Sequence, residues 1–211
     1  MGCGYLTGAG TVVNVLKPST ASTMVIMGMG AVGVAALLAA RALGLTRIVT
    51  VDIVDEKLQL ALELGATHTI NILNASDSEL AATIRRYLPD GADYIIDTTG
   101  VGKVLQAALR VLAVNGTFTL IGAMPPDTEL KVNALDVLTG CKKIIGVILA
   151  WSDPQQVGTQ SSLQGIVHRA LDTNCLDHSS TGAVVQGRQI SCSQDCANLS
   201  GDGARQGARG S

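Results

Sequence analysis

Met24-Val25-Ile26-Met27-Gly28-Met29-Gly30-Ala31-Val32-Gly33 is the stretch that decides the fold of this chain. Four consecutive apolar residues read as a buried strand, and glycines spaced G-x-G-x-x-G follow at once. An Ala-rich run then starts at Ala31 and continues to Leu43, with Gly44 behind it. A strand passing through such a turn into a helix is the phosphate-binding arrangement of dinucleotide-binding domains. The first glycine permits a tight turn, the second lets a pyrophosphate approach the backbone, and the third lets helix and strand pack closely. The helix start adds unpaired N–H groups and the positive end of a dipole. In a chain with 24 glycines the spacing alone says little. Its place between strand and helix separates it from a glycine-rich turn without a ligand.

Working outward, apolar strands and amphipathic helices alternate. Strands are predicted at Met24–Gly28, Arg47–Asp52, Thr67–Asn71, Tyr94–Asp97, Thr117–Ile121 and Lys143–Leu149. Helices are predicted at Ala31–Leu43, Asp55–Leu64 (with Gly65 as its stop), Asp77–Leu88 before Pro89, and Gly102–Ala113. Parallel neighbours need crossovers of this kind. The pattern therefore predicts an α/β fold, a Rossmann-type doubly wound parallel sheet of about six strands. Asp52 ends the second strand, 19 residues after Gly33. A carboxylate there can accept hydrogen bonds from ribose hydroxyls and repel a 2′-phosphate, which favours NAD over NADP. The rival reading of Asp52 is an N-cap for the helix at Asp55.

Composition narrows the partners. Net charge is −2, so no basic field invites nucleic acid. Only one Phe, one Trp and three Tyr are present, so the core must be aliphatic. The run Val32–Ala40 is too short to span a bilayer, and residues 1–16 lack the pattern of a signal peptide. Five cysteines at irregular spacing do not make a disulfide framework. A cytoplasmic, reduced setting is expected, without membrane or nucleic-acid partners.

Between Gly2 and Gln156 the chain resembles the zinc-dependent medium-chain alcohol dehydrogenases. The resemblance rests on Gly2-Cys3-Gly4-Tyr5-Leu6-Thr7-Gly8, the glycine turn, Val51-Asp52-Ile53 with Lys57, and Glu63-Leu64-Gly65-Ala66-Thr67. It also rests on Asp93–Gly100 and on Leu120-Ile121-Gly122-Ala123. The run Asp97-Thr98-Thr99-Gly100 is most like the aryl (benzyl-type) members. The resemblance implies an NAD-binding domain over 23–150, preceded by a linker helix over 1–22. It implies that NAD meets Thr7, Gly28, Gly30, Ala31, Val32, Gly33, Asp52, Lys57, Thr98, Thr99, Ile121, Gly122 and Ala123. Cys3 matches a ligand of the family's catalytic zinc, a Lewis acid toward the substrate alcohol. The companion Cys and His ligands belong to an N-terminal catalytic domain upstream of Gly2, so zinc is not expected to be held by these residues alone. A homodimer through the strand at 143–149 is also implied.

Residues 151–211 are rich in Gly, Ser, Gln and Asp, and the likeness stops at Val157. Such a segment is expected to be disordered. Cys192-x-x-x-Cys196 there, with His168 and His178, makes no convincing metal set. A short-chain dehydrogenase is excluded, because Tyr5, Tyr87 and Tyr94 are followed four places on by Ala9, Gly91 and Thr98 rather than Lys. The leading expectation is an alcohol dehydrogenase by descent, which in the complete enzyme transfers hydride between a small alcohol and NAD, with these residues incomplete as a catalyst and NAD binding the chemistry they keep. The alternatives are a non-catalytic NAD-binding or dimerising module, and a zinc-free quinone reductase-like member.

Overall fold

Strand β1 (Thr23–Met27) is buried at every residue, because it lies mid-sheet with helices over both faces. The computed structural model describes residues 2–148, with side chains from Gly4 onward. The expectations for Cys3's side chain, for Leu149 and for 151–211 lie outside these described residues. β2 (Arg47–Asp52), β3 (His68–Asn71), β4 (Ala92–Asp97), β5 (Leu112–Leu120) and β6 (Lys143–Gly146) complete a six-stranded sheet in the order β3-β2-β1-β4-β5-β6. All five pairings are parallel. The crossovers are α2 (Ala31–Ala42), α3 (Asp55–Glu63), α4 (Asp77–Tyr87) and α5 (Gly102–Val111), while α1 (Gly2–Gly10) precedes the sheet.

Alternation along the strands divides the core in two. Val25, Met27, Val49, Val51, Ile95 and the single Phe118 join the apolar residues of α4 and α5. Met24, Ile26, Ile48 and Ile96 join Ala35, Ala36, Ala39 and Ala40 of α2. A strand that serves two cores must be apolar throughout, which is why the sequence there reads as a run rather than an alternation. α4 begins with a reciprocal cap, in which the Ser76 hydroxyl accepts from Glu79 N–H while Glu79 accepts from Ser76 N–H.

Small residues let α1 lie directly on α2. A Cβ at Gly8 would overlap the Val32 carbonyl and come 3.1 Å from the Ala35 Cβ. Behind α1 the chain forms a π-helical turn, Thr11–Leu16, that ends at Lys17 in a left-handed conformation (φ +47).

The structure departs from the sequence expectations at several places. β5 starts at Leu112 rather than Thr117, and α5 stops at Val111 rather than Ala113. Ala92 pairs with Leu112, the register then shifts, and pairing resumes at Tyr94 with Thr117. Asn115 (φ +60) lies inside that irregularity, so an Asn-Gly turn signal sits within a strand. β6 ends at Gly146 rather than Leu149, because its neighbour β5 ends at Leu120, opposite Gly146. A short helix, α6 (Ala134–Gly140), was not expected. Asn133 caps it by accepting from Leu135 and Asp136 N–H, but Leu135 and Leu138 are exposed, so no apolar stripe announces it.

Gly8→Ala is expected to destabilise the chain by about 1–3 kcal/mol, the usual cost of overpacking. Gly102→Ala, whose Cβ would meet nothing within 4 Å, is expected to be neutral or stabilising. Urea unfolding of both variants checks the contrast.

Candidate functional site

The loops that leave β1, β2, β4 and β5 meet at one edge of the sheet. β1 is flanked by β2 and β4, so crossovers run to opposite sides from this point and leave a crevice at the strand ends. Gly28 turns the chain out of β1 at φ +93, a conformation that L side chains rarely adopt. Its N–H donates to the Val51 carbonyl at 2.7 Å, and a Cβ there would overlap the Thr98 hydroxyl. A Cβ at Gly33, in α2, would overlap the Gly28 carbonyl, so helix and turn are in backbone contact. Gly30, the N-cap residue of α2, is exposed, with nothing within 4 Å of a Cβ position. The three glycines thus do different work: one turns, one packs, and one leaves space.

Asp52 is buried, at 8% exposure. One carboxylate oxygen accepts from Met29 N–H at 2.6 Å; the other accepts from Ile53 and Val54 N–H at 2.8 and 3.1 Å. The carboxylate therefore ties the glycine turn to the end of β2. It does not cap α3, whose N-cap residue is Val54 without a side-chain cap. Of roughly four lone-pair positions on a carboxylate, three are taken by backbone, so acceptor capacity remains. Lys57 Nζ lies 3.9 Å from the same oxygen that faces Met29. With the lysine side chain 47% exposed, that pair adds about 0–1 kcal/mol.

On the other side of β1, Thr98 and Thr99 follow β4, and Ile121, Gly122 and Ala123 follow β5. The Thr98 hydroxyl donates to the Met27 carbonyl at 2.9 Å and the Gly28 carbonyl at 3.1 Å, joining this side to the glycine turn. A Cβ at Gly122 would overlap Gly100 N and come 2.8 Å from Thr99 N, so the two turns touch through backbone. Ala31 and Val32 open α2. Thr7 is buried in α1, next to Gly8, which packs against Val32 of α2.

Sequence reasoning missed Asp97. It is fully buried, and its carboxylate accepts from Thr99 Oγ1 (2.6 Å), Thr99 N (3.1 Å) and Gly100 N (2.9 Å). The available signal was an acidic residue ending an apolar strand just before Thr-Thr-Gly. A buried carboxylate needs local donors, and the next backbone N–H groups are the nearest.

The open space at Gly30 beside the start of α2, with a carboxylate at the end of β2, fits a nicotinamide dinucleotide. Among the described residues no three His, Cys, Asp or Glu side chains come together to hold a metal ion. His68 is an exposed strand residue stacked on Tyr87, with ring centroids 4.1 Å apart. No helix among the described residues is long and apolar enough to cross a membrane.

Glycine turn, strand-end carboxylate and switch point together define a Rossmann-type dinucleotide-binding domain. The chain belongs to the zinc-binding dehydrogenase family, whose model ("Zinc-binding dehydrogenase") matches residues 31–160. Geraniol dehydrogenase of Castellaniella defragrans is 34% identical over 156 residues, covering 74% of this chain and 41% of that protein. Benzyl alcohol dehydrogenase from Acinetobacter calcoaceticus superimposes with a TM-score of 0.70 at 33% identity, over 85% of this chain and 52% of the other. An alcohol dehydrogenase zinc-binding domain protein from Burkholderia ambifaria gives 0.70 at 36% identity, over 85% and 50%. The chain thus spans about half the length of the relatives it matches. It corresponds to the cofactor-binding part of the zinc-type medium-chain dehydrogenases, a family dependent on NAD(P) and zinc.

Burial pushes the Asp97 carboxyl above its ordinary value, opposed by the Thr99 hydroxyl and the Gly100 and Thr99 N–H groups. A raised carboxyl contributes stability that is complete below its unfolded value, near 3.8, and is lost as pH rises through the folded value. The melting-temperature advantage of wild type over Asp97→Asn is therefore expected to be largest near pH 4 and to shrink at higher pH. Thermal melts of both proteins across pH check this, and a difference that grows with pH contradicts it.

Proposed function

We propose that this chain binds NAD across the crevice and is the cofactor half of an alcohol dehydrogenase acting on small, aryl-type alcohols. The observation that carries the reading is the Asp52 carboxylate bonded to Met29 N–H, beside the open position at Gly30. A ribose acceptor would then stand next to a phosphate cradle. The N–H groups at the start of α2 would receive the pyrophosphate, with Ala31 and Val32 in its first turn and Gly28 and Gly33 holding its shape. Asp52 would take the adenosine ribose, and Lys57, 3.9 Å from it, would stand at the same ribose. Thr98, Thr99, Ile121, Gly122 and Ala123 would line the nicotinamide side, with Thr7 of α1 beside it. Bound NAD would supply the hydride acceptor. Cys3, in the first turn of α1, would contribute one thiolate to a zinc completed by ligands from outside these residues.

The cofactor preference follows from charge. Asp52 disfavours a 2′-phosphate, so NADH is expected to bind the full chain more tightly than NADPH. Titration by nicotinamide fluorescence decides this, and a preference for NADPH refutes the assignment of Asp52. Gly30→Leu fills the open position and is expected to weaken NADH at least tenfold (about 1.4 kcal/mol) while leaving the unliganded melting temperature near wild type. Unchanged NADH binding in that variant would remove the phosphate cradle from the reading.

A second reading, a dimerising module, is favoured by the sheet edge. Among the described residues β6 pairs only with β5, and Ile144 and Ile148 are exposed, Ile148 at 83%. An apolar, unpaired edge invites a second strand. Light scattering is expected to show a dimer that Ile144→Lys converts to monomer; a monomeric wild type sinks this reading.

A further inference from the structure

The dinucleotide crevice has two sides, and each is fastened by one strand-end carboxylate. On the β2 side Asp52 holds Met29, Ile53 and Val54. On the β4 side Asp97 plays the matching part with different connections. Its side chain holds Thr99 and Gly100, while its main-chain carbonyl accepts from Ile121 N at 2.9 Å and Gly122 N at 3.0 Å. A single residue therefore anchors both turns that follow β4 and β5. Those turns also interlock, since a Cβ at Gly100 would overlap the Ala123 carbonyl and one at Gly122 would overlap Gly100 N. Any displacement of the first turn must move the second.

The doubly wound architecture says which half of the cofactor this concerns. The phosphates sit at the switch point after β1 and one nucleoside lies toward β2, so the other nucleoside lies over the ends of β4 and β5. We propose that Asp97 is a positioning residue for the nicotinamide half, setting the shape of the 98–100 and 121–123 turns without touching the cofactor itself. This rests on the dinucleotide-binding reading of the same crevice. Thr99 acts partly through Asp97, because its hydroxyl makes the shortest of the carboxylate's hydrogen bonds. Replacing Asp97 by Asn keeps the shape but offers an N–H₂ group where one of the donors now finds an acceptor.

The test compares NADH with ADP-ribose, which carries the adenosine, pyrophosphate and second ribose but no nicotinamide. Both are titrated calorimetrically against the full chain, as wild type, Asp97→Asn, Thr99→Val, Thr99→Ser and the Asp97→Asn/Thr99→Val double variant. Asp97→Asn is expected to weaken NADH roughly tenfold or more, in line with loss of a charge-assisted hydrogen bond, and to leave ADP-ribose within about twofold. Thr99→Val should weaken NADH selectively, Thr99→Ser should restore it, and the double variant should be no worse than Asp97→Asn alone. Equal loss of both ligands would assign Asp97 a merely structural role and overturn the proposal, as would no loss of either. If Asp97→Asn fails to fold, the same NADH-to-ADP-ribose ratio in Thr99→Val against Thr99→Ser decides between the two outcomes. Wild type binding neither ligand would instead overturn the dinucleotide reading itself, and this proposal with it.

Discussion

The absence of a side chain at Gly33 is the constraint on which the rest of the structure depends. α2 can begin against the turn at the end of β1 only because nothing stands between its backbone and the Gly28 carbonyl. That contact fixes where the helix start points and how its alanines lie on Met24 and Ile26. α1 then repeats the device one layer further out, with Gly8 against Val32. α1, α2 and the turn that ends the central strand are thus joined through contacts too close for any Cβ. The opposite face takes the single Phe118 and the leucines of α4 and α5.

The two sides of the crevice solve one problem in two ways. A strand ending in a buried carboxylate must supply that group with donors, and the next few backbone N–H groups are the cheapest source. Asp52 draws on its own loop and on the glycine turn; Asp97 draws on its own loop and lends its carbonyl to the neighbouring strand. Buried polar groups of this sort rigidify only when fully satisfied. The Thr50 and Thr119 hydroxyls are buried without a hydrogen-bond partner among the described residues, the first inside β2 and the second one residue before the end of β5.

Much of this was legible in the sequence, for physical reasons that can be named. The central strands declared themselves because burial on two faces demands unbroken apolar runs, as in Met24–Met27 and Ile48–Val51. The glycine turn declared itself because each glycine answers a separate steric demand. α6 stayed hidden because Leu135 and Leu138 face outward and leave no periodic stripe. The early start of β5 stayed hidden because Asn115-Gly116 is read as a turn wherever it occurs, and only the pairing of Leu112 with Ala92 shows a bulge. Asp97 was visible as a letter but not as a role, since two of its three donors are backbone groups, which carry no sequence signal.

The sheet order also shapes how such a chain is made. β1 pairs with β2, which soon follows it, and with β4, where Met24 meets Tyr94, 70 residues later. At about 5–20 residues per second, a ribosome takes roughly 4–14 s to deliver that second partner. Until then β1 has one open edge, and the β4 side of the crevice is missing. Synthesis past Asp97 is what ends that exposure.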